Sequence, residues 1–324
     1  RSTRKESSAA SDVYKRQVDN SVLIGYSAGE YIGQGSTDAT KVVNVGFEAG
    51  KYTTGSYNTF VGSEAGRGGT TSAPFSSGEY NVAVGYQTLL ASTTGDHNTA
   101  VGFGALTAVS TATGNTAIGA GAGDAITTGN HNIAIGYNSL TNCTTGTDNV
   151  AVGRDAMYAN TTGGNNVAVG TNALDSNTTG SETVAVGKAA LATMTTAVRN
   201  TAVGHEALTA NTTGYNNTAI GYVAGKAMTE GYQNTLVGDR AGTAITTGDN
   251  NTAIGQHALK TTTTGNGNTA LGFDALSANT TANFNTAVGD ECMTDNTTGT
   301  GNTGVGHRAL WKVTTGQNNT GMGI

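Results

Sequence analysis

The residues able to do chemistry are few and scattered. His97, His131, His205, His257 and His307 have no second histidine or cysteine close by in the sequence. A zinc site needs donors converging at about 2.0–2.3 Å, usually from closely spaced pairs. No C-x-x-C, H-E-x-x-H, P-loop or glycine-rich calcium repeat occurs. Cys143 and Cys292 are 149 residues apart and are expected as free thiols, because a disulfide needs Cα atoms within about 7 Å. Glycoside hydrolysis needs two carboxyl groups facing each other across a groove, and no such pair stands out. The expectation is a protein that is not an enzyme and carries neither metal nor cofactor.

The composition narrows the class. The chain has 324 residues, 49 of them Gly, with one Pro and one Trp. Charged residues make up 12%, about half the share in an ordinary soluble domain, so the profile is not that of a charge-rich disordered chain. A net charge of −6 argues against a nucleic-acid partner. No apolar run reaches the roughly 18 residues that would cross a membrane as a helix.

The dominant signal is a repeat. The phrase N-x-A-[VI]-G returns with its Gly at 85, 102, 119 and so on to 323, always in steps of 17. Three earlier copies place that Gly at 25, 46 and 62, with irregular spacing. With Asn as position 1 and this Gly as position 5, the unit reads N-[TV]-A-[VI]-G-x-x-A-[LG]-x-x-x-T-T-G-x-x. Position 2 is Thr, Val or Ile and position 4 is aliphatic or Met in every copy, the signature of a short strand. Gly at position 5 and T-T-G at positions 13–15 read as turns. One unit is therefore one coil, and the chain is expected to be an all-β parallel β-solenoid, or β-roll, of about 18 coils. Coils should stack about 4.8 Å apart, each needing its neighbours to bury its apolar side. The domain reading is 1–17 set aside, 18–80 irregular coils with insertions, and 81–324 regular coils broken off within a repeat. Residues 1–17 match nothing downstream, and their ending DVYKRQ resembles a translated sequencing-library adaptor.

Three finer expectations follow from the repeat. Leu at position 9 tends to accompany a polar position 12, whereas Gly at position 9 often accompanies a large apolar one, as in Gly123 with Ile126 and Gly242 with Ile245. One interior slot is thus filled from either side, with Gly50 and Gly66 outside the rule. The Asn at position 1 should form a ladder that satisfies turn backbone groups. The strand is apolar on both faces, position 4 by its aliphatic residue and position 3 by Ala. The coil interior covers one face, so a second chain is expected on the other, with small Ala permitting close approach.

N-T-A-V-G-x-x-A-L, at Asn98–Leu106 and Asn200–Leu208, resembles the head repeats of trimeric autotransporter adhesins. The wording N-T-A-[IV]-G…N-T-T-G is similar to repeats of phage tail-fibre proteins. The resemblance covers about residues 18–324 and implies a homotrimeric β-roll in a virion tail fibre or on a cell surface. The expected function is a structural shaft that displays a receptor-binding tip, its partners being other copies of itself and host-surface glycans or receptors.

Exposed aromatics could stack on sugar rings. Position 6 is aromatic at Tyr26, Phe47, Tyr86, Phe103, Tyr137, Tyr222 and Phe273, and the last five are the candidate glycan contacts. The excess between Gly62 and Gly85 carries Pro74 and Phe75, candidates for a projecting recognition loop. The alternative function is an ice-binding solenoid, suggested by abundant Thr.

Overall fold

The computed structural model describes residues 20–32, 40–69 and 75–323. Residues 1–17 and Pro74 lie outside the described residues. The chain forms two compact units, 1–131 and 132–324. Eighteen strands occur among the described residues, each of three residues, covering positions 2–4 of the repeat. Six belong to the first unit, from Val22–Ile24 to Thr116–Ile118. Twelve belong to the second, from Ile133–Ile135 to Thr320–Met322. Within each unit every strand pairs parallel and in register with the next, Thr201 on Thr218 and Val203 on Ile220, for example. Each unit is thus a parallel β-solenoid of about 17 residues per coil.

The coil from Asn149 to Asn165 shows how 17 residues close a circuit. After the strand Val150–Val152, two turns follow directly. The Ala156 N–H donates to the Gly153 carbonyl, and the Asn160 N–H to that of Met157. Asp155, Met157 and Asn165, at positions 7, 9 and 17, all have φ between 51° and 58°. Such left-handed residues cost about 1–2 kcal/mol each when they are not Gly. Here the cost is offset by what the bends achieve, since the Met157 side chain is aimed inward and is fully buried. Most other backbone N–H groups of the coil bond to the coil above or below, as from Met157 to Ala173 and from Thr161 to Thr178.

The interior corrects the expected orientation of the strand. Position 3, not positions 2 and 4, faces inward: Ala100, Ala134, Ala168 and Ala202 are buried, beside Ala at position 8 and Leu or Met at position 9. The small Ala is therefore a core residue, and close approach of a second chain through it does not occur in this architecture. Volume is the reason. Leu at position 9 fills the coil, leaving room only for a methyl group opposite.

The same volume argument extends the slot exchange to three positions. Where position 9 is Gly, a Cβ there would collide with whichever side chain has taken the space. Gly29 would meet Ile32 at 2.6 Å and Leu23 at 2.9 Å, and Gly242 would meet Leu236 at 2.7 Å and Ile245 at 2.9 Å. At Gly50 and Gly66, which fall outside the two-position rule, Asn44 and Phe60 at position 3 fill the slot.

Asn44 is the exception in chemistry. It is fully buried, and neither its amide nitrogen nor its oxygen has a hydrogen-bond partner. Leaving such groups unmade costs about 1–3 kcal/mol. Asn44→Leu is therefore expected to stabilise its coil by about that amount, since Leu23 and Leu236 already occupy the same position opposite a Gly. Slower amide exchange at Val43–Val45 would register the gain, and unchanged or faster exchange would contradict it.

Candidate functional site

Turning position 3 inward sends positions 2 and 4 outward. Each unit therefore carries two parallel ranks of side chains on one sheet face, about 4.8 Å apart along the stack and roughly 6.7 Å apart along the strand. In the second unit the position-4 rank runs Ile135, Val152, Val169, Val186, Val203, Ile220 and onward to Met322. The position-2 rank is aliphatic from Ile133 to Val184 and then Thr in eight successive strands, Thr201 to Thr320. Among the described residues no strand carries a charged side chain. The face is open, with Ile118 exposed to 42% and Leu271 to 44%. Such a face offers contact area and regular spacing, with no base to activate its hydroxyls.

Charged residues stand at the corner after the strand, at positions 6, 7 and 10, where several form pairs. Glu206 pairs with Lys226 at 2.6 Å, His257 with Asp274 at 3.2 Å, and Glu291 with Arg308. Hydrogen bonds from Lys226 and Arg308 hold the Glu206 and Glu291 carboxyls below the usual range. Both are therefore ionised at neutral pH and unsuited to donate a proton. Burial, then the charge of Asp155, raises Asp175. Among the described residues no three His, Cys, Asp or Glu side chains gather as a metal site would require. His97 stacks on Tyr80 at 5.0 Å, and the His131 ring covers Gly114.

The position-6 aromatics are exposed, Phe103 to 61%. Several lie face to face. Tyr26 stacks on Phe47 at 5.5 Å, Tyr86 on Phe103 at 5.7 Å, and Tyr222 on His205 at 5.5 Å. In these three pairs coil stacking turns ring faces toward one another, whereas sugar stacking needs a free face. Phe273 tilts against His257. The ring of Phe75 is half-buried, 4.8 Å from Tyr31, and Ser76 bridges to Thr53, so at these two residues the chain lies against neighbouring coils.

Sequence reasoning found one polar ladder and missed three. In the Asn ladder at position 1, the Asn149 side chain accepts from the Asn166 N–H at 3.1 Å and donates to the Gly163 carbonyl at 2.9 Å. At position 12, Asn177 donates to Asn160 at 2.9 Å and to the Gly180 carbonyl at 3.0 Å. Asn160, Asn177, Asn211, Asn279 and Asn296, all followed by Thr-Thr, are fully buried, which closes these glycosylation sequons to a folded-state glycan. At position 13, the Thr161 hydroxyl donates to the Thr178 carbonyl at 3.0 Å, and Thr178 repeats this to Thr195. At position 16, the side chains of Asp249, Asn266 and Asn283 each accept the backbone N–H of the preceding coil. The repeated Thr and Asn were the available signal for these ladders.

Both cysteines are free and buried. Burial pushes the Cys143 thiol up to about 11, and burial also raises Cys292. The thiolate is the reactive form. Alkylation by iodoacetamide near pH 8 is therefore expected to be at least about tenfold slower in the native chain than in denaturant, and equal rates would contradict this placement.

Comparison with protein-family models, curated proteins and solved structures found no match to the chain. Fold and surface together define a parallel β-solenoid whose uncharged, two-rank sheet face is its most extended regular feature.

Proposed function

We propose that this chain is a non-enzymatic structural shaft, of a phage tail fibre or bacterial surface adhesin, that assembles with two further copies through the outward sheet face. The observation that carries this reading is the pair of uncharged, largely aliphatic ranks. Apolar patches of more than a few hundred Å² are rarely left open on a soluble monomer. The ladders support a mechanical role, since within each unit most successive coils are tied together by backbone, Asn and Thr hydrogen bonds. Glycan contacts along the side would fall to ring edges and the outermost ring faces at Tyr86, Phe103, Tyr137, Tyr222 and Phe273.

The test is the solution mass of the full chain by light scattering after size exclusion. A mass near three chains supports the shaft, and a stable folded monomer overturns it. Ile220→Lys, at the centre of the face, should dissociate the assembly while leaving the far-UV spectrum of the solenoid unchanged. A second reading, ice binding, draws on the eight successive outward Thr from Thr201 to Thr320 beside an aliphatic rank. Thermal hysteresis from a monomer would put ice binding first.

A further inference from the structure

Tyr215 and Tyr232 stand at position 16 of successive coils in the second unit. Their rings stack with centroids 5.2 Å apart and planes 3° from parallel. Tyr215 is 41% exposed and Tyr232 is half-buried at the surface. The next residue in this column is Asp249, whose carboxylate accepts the Tyr232 backbone N–H at 2.9 Å. The charge of Asp249 raises the Tyr232 phenol above the usual tyrosine range.

We propose that Tyr215 and Tyr232 are an oxidisable pair that couples into an intrachain dityrosine, a covalent staple between successive coils. The oxidant is hydrogen peroxide acting through a peroxidase. One electron leaves Tyr232, with its phenolic proton going to solvent. A second electron leaves Tyr215, with its proton going to solvent. The two phenoxyl radicals join through one bond between ortho carbons. Each ring then moves its ortho hydrogen to oxygen, which restores both phenols. Two phenols and one hydrogen peroxide yield one dityrosine and two waters.

The stack supplies what this coupling lacks between free tyrosines. Two short-lived radicals must meet, and holding the partners side by side replaces a bimolecular encounter with an intramolecular one. Surface side chains change rotamer within nanoseconds, so the rings can turn from stacking into bonding geometry. Tyr57 and Tyr80 stack comparably, at 4.8 Å and 3°, but the other face of Tyr80 is occupied by His97. Among the described residues no third ring stacks on Tyr215 or Tyr232.

The test treats the full chain with a haem peroxidase and hydrogen peroxide at several protein concentrations, followed by tryptic peptide mass analysis. Cleavage after Arg199, Lys226 and Arg240 places the two tyrosines on separate peptides. The expected product is that pair joined with the loss of two hydrogens. It should exceed any pair containing Tyr137 or Tyr158 by about tenfold, and its yield should not depend on protein concentration. Tyr215→Phe should abolish it. Cross-links spread evenly over the tyrosines, or a yield that rises with protein concentration, would overturn the proposal. Because the product is intrachain, this result is read separately from the mass that tests self-association.

Discussion

Gly238→Ala is expected to break the second unit locally, at a cost of at least about 3 kcal/mol. Gly238 sits at position 5 with φ of 139°, well beyond the left-handed helical well that Val223 and Leu259 occupy near 50°. An added Cβ would stand 2.5 Å from the Gly255 carbonyl oxygen and 2.7 Å from its carbon. Both atoms are backbone, and the spacing cannot relax. The Gly238 N–H is bonded to the Ile220 carbonyl at 2.8 Å and the Gly255 N–H to that of Val237 at 2.8 Å, which fixes the stack on either side. In a linear array the damage falls mainly on the flanking coils. Amide exchange should accelerate around Thr218–Ile220 and Thr252–Ile254 while Val150–Val152 stays protected. Uniform protection equal to that of the wild type would refute the role assigned to this glycine column.

The second large effect is expected at the Asn ladder. Asn234 is 1% exposed. Its side chain donates to the Gly248 carbonyl at 2.9 Å and accepts the Asn251 N–H at 3.0 Å. Asn234→Leu conserves volume but leaves that carbonyl and that N–H without these partners in a dry interior. Each orphaned group costs about 1–3 kcal/mol, so a loss of roughly 2–6 kcal/mol is expected. Denaturant unfolding, compared with the exposed Thr264→Ala, separates this from a generic surface effect, which stays within about 0.5 kcal/mol. A loss no greater than that of the control would mean that the ladder is not a stabilising element.

These two positions also mark how much was legible. Gly238 and Asn234 are repeat landmarks visible in the bare sequence, and the period they set determined the coil, the strand at positions 2–4 and the parallel stack. Leu at position 9 was legible as core, but its left-handed backbone was not, because propensity argues against it and only tertiary burial outweighs the local cost. Gly50 and Gly66 stood outside the two-position rule, with nothing to mark Asn44 and Phe60 as the residues that fill their slot. Their place became clear only when Gly50 and Gly66 were seen to leave them room. The position-6 aromatics were legible as candidates for surface contact, yet a sequence does not say that rings one coil apart will stack on each other.

The sequence by itself determined the period, the strand and the polar ladder that needs one Asn per coil. Only the tertiary structure decided which side of that strand is the inside. Alternation along a strand defines two faces without ranking them, and here Ala on one and Val, Ile or Thr on the other are both acceptable to an apolar interior. Volume made the choice. The inward-pointing residues at positions 9 and 12 leave space for a methyl group, so Ala went in and the larger β-branched ranks were left facing out.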